Sequence, residues 1–128
     1  MTTPPRQVLV VEDDLDTREM LERFLELEGF AVRTAANGEA ALASLQREGR
    51  PSVILLDLMM PVMNGWQFRD AQRRQPQLAD IPVVVVTAAG AQSRLPPIEA
   101  DAWLSKPLDF DRLLDTIGTL SASRGGQA

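Results

Sequence analysis

The chain has 128 residues, a length that fits one globular domain with its own hydrophobic core. Its net charge of -5 argues against nucleic acid as a direct partner, and no apolar run approaches the roughly 20 residues of a membrane span. Cysteine and histidine are both absent, which excludes disulfides, zinc–thiolate centres and imidazole catalysis, so a metal ion here needs oxygen ligands. The N-terminal segment lacks the apolar core of a signal peptide, which favours a cytoplasmic protein.

Apolar runs alternate with segments of helical periodicity along the chain. The predicted strands are residues 7–12, 30–35, 52–57, 83–86 and 101–104. The predicted helices are residues 16–28, 37–49, 64–75 and a last helix that begins at Asp109. This alternation is typical of an α/β fold, in which a doubly wound, five-stranded parallel sheet carries helices on both faces.

Local signals mark the helix ends and the domain boundaries. Asp16 followed by Glu19 predicts a capping box at the start of the first helix, and Asn37 predicts the cap of the second. We expect one domain over residues 7–120, between flexible tails at residues 1–6 and 121–128. Met1 indicates a natural start, so we expect any further domain to follow the last residue.

Polar side chains collect at the carboxyl ends of four predicted strands. In an open α/β sheet, ligands bind outside these strand ends, where the strand order reverses. We therefore expect one site that contains Glu12, Asp13, Asp57, Thr87 and Lys106.

The residue types at these strand ends suit phosphoryl chemistry. Three carboxylates within about 5 Å repel one another by roughly 3 kcal/mol per pair at an effective dielectric near 20, and Mg²⁺ (or Mn²⁺) would relieve that repulsion. Asp57 stands alone on its strand, which favours it as a nucleophile toward phosphorus, whereas the Glu12–Asp13 pair suits a metal. Lys106 would offset the remaining negative charge, and Thr87 would donate a hydrogen bond to a phosphoryl oxygen.

The chain resembles the receiver domain of two-component response regulators over nearly its full length. The motifs VLVVEDD, LLDLMMPVMNG, VVVVTA and LSKP carry the resemblance. It implies a flavodoxin-like sheet with strand order 2-1-3-4-5. It also implies a phosphorylation-dependent signalling switch, in which Asp57 accepts a phosphoryl group from the phosphohistidine of a sensor histidine kinase or a phosphotransfer protein. Such a domain is not an enzyme beyond its self-phosphotransfer and autodephosphorylation.

The resemblance further implies a role for each site residue. The magnesium site would consist of three carboxylates and one backbone carbonyl, with Glu12 acting through a water molecule: Glu12, Asp13, Asp57 and Met59. Thr87 and Lys106 would bind the phosphoryl group, and the peptide bond between Lys106 and Pro107 would be cis.

Two departures from the family pattern concern the output of the switch. Trp103 stands where the family more usually has a Tyr or Phe that swings inward as Thr87 moves, so Trp103 is read either as that switch residue or as a packing residue. The segment between Thr87 and Lys106 is a few residues shorter than usual and contains Pro96 and Pro97, which cost about 3 kcal/mol each in a helix interior. We therefore expect a short or irregular fourth helix and a remodelled protein-binding surface around residues 88–106.

Other functions compete with the switch. One is a receiver-like protein-interaction module that keeps the site but does not switch. A second is an aspartate-based phosphohydrolase of the haloacid-dehalogenase type. Such enzymes generally have a second Asp as general acid two residues after the nucleophile, where this chain has Met59, which cannot transfer a proton. A flavin-binding protein is a weaker alternative, since without a metal the acids would repel a flavin phosphate. The downstream protein partner and the oligomeric state stay open.

Overall fold

The structure, a computed structural model, describes residues 6–58, 63–88 and 98–125. Over these residues the strands are β1 (Gln7–Val11), β2 (Ala31–Ala35), β3 (Val53–Asp57), β4 (Val83–Ala88) and β5 (Ala102–Lys106). The helices are α1 (Leu15–Leu27), α2 (Gly38–Glu48), α3 (Gly65–Arg73), α4 (Pro76–Ala79) and α5 (Phe110–Gly125). All five predicted strands are present, and α4 is a single turn that the periodicity did not predict.

The five strands form one parallel sheet in the order β2-β1-β3-β4-β5. The predicted strand order is therefore confirmed. The chain runs from β1 outward to β2 and then returns past β1 to β3, so the order reverses between β1 and β3. This reversal opens a crevice at the carboxyl ends of those two strands, which is where such sheets bind ligands.

Helices cover both faces of the sheet, as the alternating side chains of each strand require. In β1, Leu9 and Val11 point into one apolar cluster, whereas Val8 and Val10 point into the other. The first cluster is closed by residues of α2 and α3, including Ala41, Leu45 and Phe68. The second is closed by residues of α1 and α5, including Leu21, Leu25, Leu113 and Ile117.

The caps of α2, α3 and α5 lie where the sequence predicts them, but the cap of α1 does not. Asn37, Asn64 and Asp109 each accept a backbone N–H from the first turn of α2, α3 and α5, respectively. The N-cap of α1 is Asp14, whose carboxylate accepts from the backbone N–H of Thr17. The predicted Asp16–Glu19 capping box is wrong, because Asp16 already lies inside the first turn of the helix.

A buried polar network joins α3 to the segment that precedes β5. Gln72 is fully buried and donates to the carbonyls of Leu78 and Ile81, at 2.8 and 3.3 Å. Its own side-chain oxygen accepts from Arg69, which also donates to the carbonyl of Glu99 at 2.9 Å. Burial lowers the pKa of the Arg69 guanidinium. The network thus ties α3 to the residues that lead into β4 and to the segment before β5, which is 30 residues from Arg69.

Two predictions concern segments at the edges of the described residues. The predicted irregular helix between β4 and β5 falls largely on residues 89–97, which lie outside the described residues; residues 98–100 are not helical. The predicted tail from residue 121 is wrong over residues 121–125, because α5 continues to Gly125. Ser121 is fully buried, and its hydroxyl donates to the carbonyl of Gly118 at 3.3 Å.

The N-terminal boundary of the ordered sheet differs from the predicted domain boundary by one residue. The carbonyl of Arg6 accepts from the backbone N–H of Ala31 at 2.9 Å, so the hydrogen bonding between β1 and β2 begins there. The rest of the predicted N-terminal tail lies outside the described residues. No helix among the described residues has the length and apolar character needed to cross a membrane.

Candidate functional site

Four strand ends bring the predicted site residues to one edge of the sheet. Asp57 is the last residue of β3, and Glu12 follows directly after β1. Thr87 lies near the end of β4, and Lys106 is the last residue of β5. Since Val11 pairs with Leu56, Asp57 with Val86 and Ala88 with Lys106, the parallel register places the four residues at the same edge, within two residue positions of one another.

Three carboxylates converge in the crevice between β1 and β3. Glu12, Asp13 and Asp57 each offer one oxygen, and these oxygens lie within 4.8 Å of one another. Glu12 and Asp57 are 3% and 7% exposed, whereas Asp13 faces solvent. A set of hard oxygen donors, two of them buried, fits a small divalent cation of the Mg²⁺ class.

Lys106 supplies the positive charge beside these acids. Its Nζ lies 3.4 Å from Oε1 of Glu12 and 3.9 Å from Oδ2 of Asp57. Glu12 comes 94 residues earlier in the chain. The single ammonium group offsets part of the charge of three carboxylates, so the cluster keeps a net negative charge that attracts a cation.

The hydroxyl of Thr87 is buried and has no hydrogen-bond partner among the described residues. Thr87 is 2% exposed, and its Oγ1 makes no hydrogen bond with the described residues. A buried hydroxyl usually has a hydrogen-bond partner, since a buried polar group without a hydrogen bond costs about 1–3 kcal/mol. This hydroxyl at a strand end is therefore available to an incoming polar group.

Trp103 packs against the core beside the site. It pairs with Val85 across the sheet, is half-buried, and contacts the apolar cluster that lies under α2 and α3. It also lines a surface cavity of about 390 Å³ together with Lys106 and Arg112. Trp103 thus contacts the core through its side chain and also adjoins a surface cavity.

The connection from β3 to α3 begins at the residue after Asp57. Its end is held by two close contacts to glycines. The N–H of Gly65 donates to the carbonyl of Leu58 at 2.9 Å, and the N–H of Gly38 donates to the carbonyl of Met63 at 3.2 Å. A Cβ atom on Gly38 would lie 2.8 Å from Cγ of Met63, and one on Gly65 would lie 2.6 Å from Leu58. Both glycines are therefore needed for space.

The structure also bears on the remaining predicted residues. The peptide bond between Lys106 and Pro107 is cis. Met59, whose backbone carbonyl was predicted as a metal ligand, lies outside the described residues.

Sequence reasoning missed the contacts that hold the turn after β1. The N–H of Asp14 donates to Oε2 of Glu12 at 3.1 Å, and hydrogen bonds from Thr17 lower the pKa of the Asp14 carboxyl. Arg18 donates to the backbone carbonyl of Glu12 at 2.9 Å. The available signal was an arginine in the first turn of a helix, where its charge opposes the helix dipole.

Comparisons with known proteins agree with this geometry. The family model described as "Response regulator receiver domain" matches residues 8–118. The transcriptional regulatory protein PrrA of Mycobacterium tuberculosis is 41% identical over 98% of this chain, which spans 54% of that protein. The chain thus spans about half the length of the first curated relatives that it matches.

Two solved structures share the fold. The chemotaxis response regulator CheY4 of Vibrio cholerae is 34% identical with a TM-score of 0.81, over 91% of this chain and 98% of that chain. The receiver domain of the sensor histidine kinase PA1611 from Pseudomonas aeruginosa PAO1 is 25% identical, with a TM-score of 0.83 over 92% of this chain and 98% of that one. That structure has a magnesium ion coordinated in its active site cleft.

Proposed function

The chain belongs to the response regulator receiver domain family, and from that premise we propose that it accepts a phosphoryl group on Asp57 and changes its protein-binding surface in response. Receiver domains are phosphoacceptors that take phosphoryl groups from histidine kinases. The observation that carries the proposal for this chain is the position of Asp57: it is buried at the end of β3, inside a three-carboxylate cluster, with the Lys106 ammonium 3.9 Å away.

The carboxylate cluster supports a magnesium site. Glu12, Asp13 and Asp57 would hold Mg²⁺ or Mn²⁺, and Met59 would add its backbone carbonyl. Bound there, the cation would neutralise negative charge on the phosphoryl oxygens. Glu12 is held from two sides, by the Asp14 N–H and by the Lys106 ammonium, so its carboxylate is oriented before a cation arrives.

Asp57 would act as the nucleophile. One of its carboxylate oxygens forms a bond to phosphorus while the P–N bond to the donor imidazole breaks, and the imidazole nitrogen keeps the bonding electron pair. The Lys106 ammonium stabilises the charge on the transferred group. Thr87 donates its hydroxyl to a phosphoryl oxygen, which gives that hydroxyl a partner that the described residues do not supply.

The response would travel through Thr87 to the surface around residues 88–106. A hydroxyl drawn toward the phosphoryl group leaves space beside β4, and Trp103 on the neighbouring strand adjoins a cavity. A switch of this kind needs two packings of the same segment whose populations the phosphoryl group changes. The donor would be a sensor histidine kinase or a phosphotransfer protein in the cytoplasm, and the receiver of the signal a further protein.

The test is incubation of the protein with acetyl phosphate and Mg²⁺, followed by intact mass measurement. We expect a gain of one phosphoryl group that needs Mg²⁺ and is absent in Asp57→Asn. An exposed acid on α5 offers the matched control, so Asp115→Asn should still gain the group. A wild-type protein that gains no mass, or an equal gain in Asp57→Asn, would contradict the proposal.

The packing of Trp103 favours a second candidate, a module that is phosphorylated but does not switch. Because Trp103 already contacts the core cluster, its inward movement would displace existing contacts. Amide hydrogen exchange with and without beryllofluoride separates the two functions. Changed exchange over residues 98–106 supports the switch, and unchanged exchange in a protein that binds beryllofluoride supports the static module.

A further inference from the structure

The turn between β1 and α1 carries two of the three carboxylates, and its backbone is held by contacts from several elements. The N–H of Glu12 donates to the carbonyl of Ala35 at the end of β2, at 3.0 Å. The carbonyl of Asp14 accepts from the N–H of Arg18 at 2.9 Å, which closes the first turn of α1. Glu12 and Asp13 lie between these two hydrogen bonds. Their carbonyls come after the last residue of β1 and lie outside that strand.

The side chain of Arg18 reaches back over this turn. Its Nη1 donates to the carbonyl of Glu12 at 2.9 Å and lies 3.4 Å from the carbonyl of Asp13. Helical side chains point toward the N-terminus of their helix, so an arginine in the first turn of α1 can cover the residues just before it. One guanidinium group thus contacts the backbone of both acidic residues.

The position of Arg18 is electrostatically unfavourable for the helix itself. A cation in the first turn opposes the helix dipole, and an arginine there does not help α1 to form. The contacts to carbonyl oxygens offset this cost, since a guanidinium donates several hydrogen bonds in a fixed planar arrangement. The guanidinium is bound to the backbone of the turn and forms no ion pair with a carboxylate among the described residues.

We propose that Arg18 is a positioning residue for the Asp57 site, one that holds the Glu12–Asp13 turn in the shape that binds the divalent cation. The inference rests on the proposed function, because it concerns cation binding by the same cluster. Asp13 is the exposed member of the three acids, so surrounding packing does little to hold its side chain, and its position depends on the shape of the turn. A turn fixed in advance reduces that loss and strengthens binding.

Charge and positioning predict opposite results when Arg18 is removed. A guanidinium near the site repels a divalent cation, so loss of its charge alone would tighten Mg²⁺ binding. Loss of the hydrogen bonds frees the turn and weakens Mg²⁺ binding. The sign of the change therefore identifies which role dominates, and our proposal requires weaker binding.

The experiment compares Mg²⁺ binding by isothermal titration calorimetry in the full chain and three variants. Arg18→Ala removes both charge and hydrogen bonds, whereas Arg18→Lys keeps the charge but loses the planar fork. Arg23→Ala is the matched control, since Arg23 is an exposed arginine of the same helix. We expect Arg18→Ala to bind Mg²⁺ roughly five- to tenfold more weakly, as the net loss of one ordinary hydrogen bond predicts, with Arg18→Lys between it and wild type. Arg23→Ala should match wild type.

A second measurement reports the turn directly. In metal-free protein, the NMR chemical shifts of the backbone amides of Glu12, Asp13 and Asp14 should change in Arg18→Ala and should match wild type in Arg23→Ala. Saturating Mg²⁺ should restore the rate at which Arg18→Ala takes up a phosphoryl group from acetyl phosphate. A purely structural role would lower thermal stability but leave Mg²⁺ affinity unchanged. If Arg18→Ala does not fold, the Arg18→Lys comparison decides by the same criterion.

Two results would overturn the proposal while the proposed function stands: wild-type affinity in Arg18→Ala, or tighter binding. A wild-type protein that binds no Mg²⁺ would instead contradict the proposed function and this inference together.

Discussion

Single residues at the strand ends set the electrostatics of this protein. Glu12, Asp13 and Asp57 lie close enough to repel one another, and the Lys106 ammonium compensates only part of that charge. The site is therefore arranged for a cation at some expense to the stability of the metal-free fold, a common compromise at functional sites.

Replacement of Asp13 by Asn tests this compromise. We expect the metal-free variant to be more stable than wild type, because one of the three like charges is gone. We also expect it to lose most of the stabilisation that Mg²⁺ gives to wild type, since ligands stabilise the state that binds them. Thermal unfolding with and without Mg²⁺ measures both effects. Asp115→Asn, far from the cluster in sequence and on the exposed face of α5, should show neither change.

Thr87 makes a similar compromise with its buried hydroxyl. Thr87→Val keeps the shape of the side chain but removes an oxygen that has no partner among the described residues. We expect the free energy of unfolding of the unphosphorylated variant to be about 1 kcal/mol higher than that of wild type, because an unpaired buried hydroxyl is destabilising. Phosphoryl uptake by the same variant should be slower. Urea unfolding and the mass assay measure these effects, and a less stable variant would show that the hydroxyl has a partner after all.

At the level of elements, the start of α2 is fitted to the connection that follows Asp57. Gly38→Ala would place a Cβ atom 2.8 Å from Cγ and 2.9 Å from the carbonyl oxygen of Met63. We expect a loss of about 1–3 kcal/mol in unfolding free energy, the range for overpacked sites. Gly118→Ala is the matched control: its Cβ would meet nothing within 4 Å, and a helical alanine should stabilise α5. Equal effects in the two variants would contradict the steric argument.

The cap of α1 gives the protein a local pH dependence. Hydrogen bonds from Thr17 lower the pKa of Asp14 below its usual 3.8, so the unfolded chain takes up that proton first as the pH falls. The stabilisation by Asp14 is therefore present above pH 3.8 and is lost as the pH falls through the lower pKa that Asp14 has in the folded protein. Asp14→Ala should be less stable than wild type at pH 7, and the difference should shrink below pH 3.8. Urea unfolding across this range tests it; a difference that grows in acid would contradict the assignment.

For the whole molecule, the extent of α5 decides where the folded domain ends. The sequence predicts an end at residue 120, but Ser121 is fully buried and the helix continues to Gly125. A chain truncated after Leu120 should therefore be less stable by about 1–3 kcal/mol, since it loses a buried residue and the last turn of the helix. A chain truncated after Gly125 should match the full protein. Equal unfolding midpoints for the two truncations would support the shorter boundary.

The amino-acid sequence alone determined the alternation of strands and helices and the residues at each strand end. Both depend on local patterns: continuous apolar runs, helical periodicity, and asparagine or aspartate before a helix. The resemblance to receiver domains supplied the strand order, which no local pattern encodes. The sequence therefore predicted Asp57, Thr87 and Lys106 as neighbours of the acidic pair, and the structure brings them to one edge of the sheet.

Only the tertiary structure decided the features that depend on contacts between distant residues. Lys106 meets Glu12 across 94 residues of chain, and the distance between them follows from the register of four strands. The local pattern favours Asp16, with Glu19 three residues later, as the cap of α1, whereas in the fold the cap is Asp14, whose N–H also donates to Glu12. The backbone partners of Arg18, the burial of the Thr87 hydroxyl away from any partner in the described part of the chain, and the burial of Ser121 likewise arise only on packing. Burial and hydrogen bonding belong to the folded chain, so no window of sequence contains them.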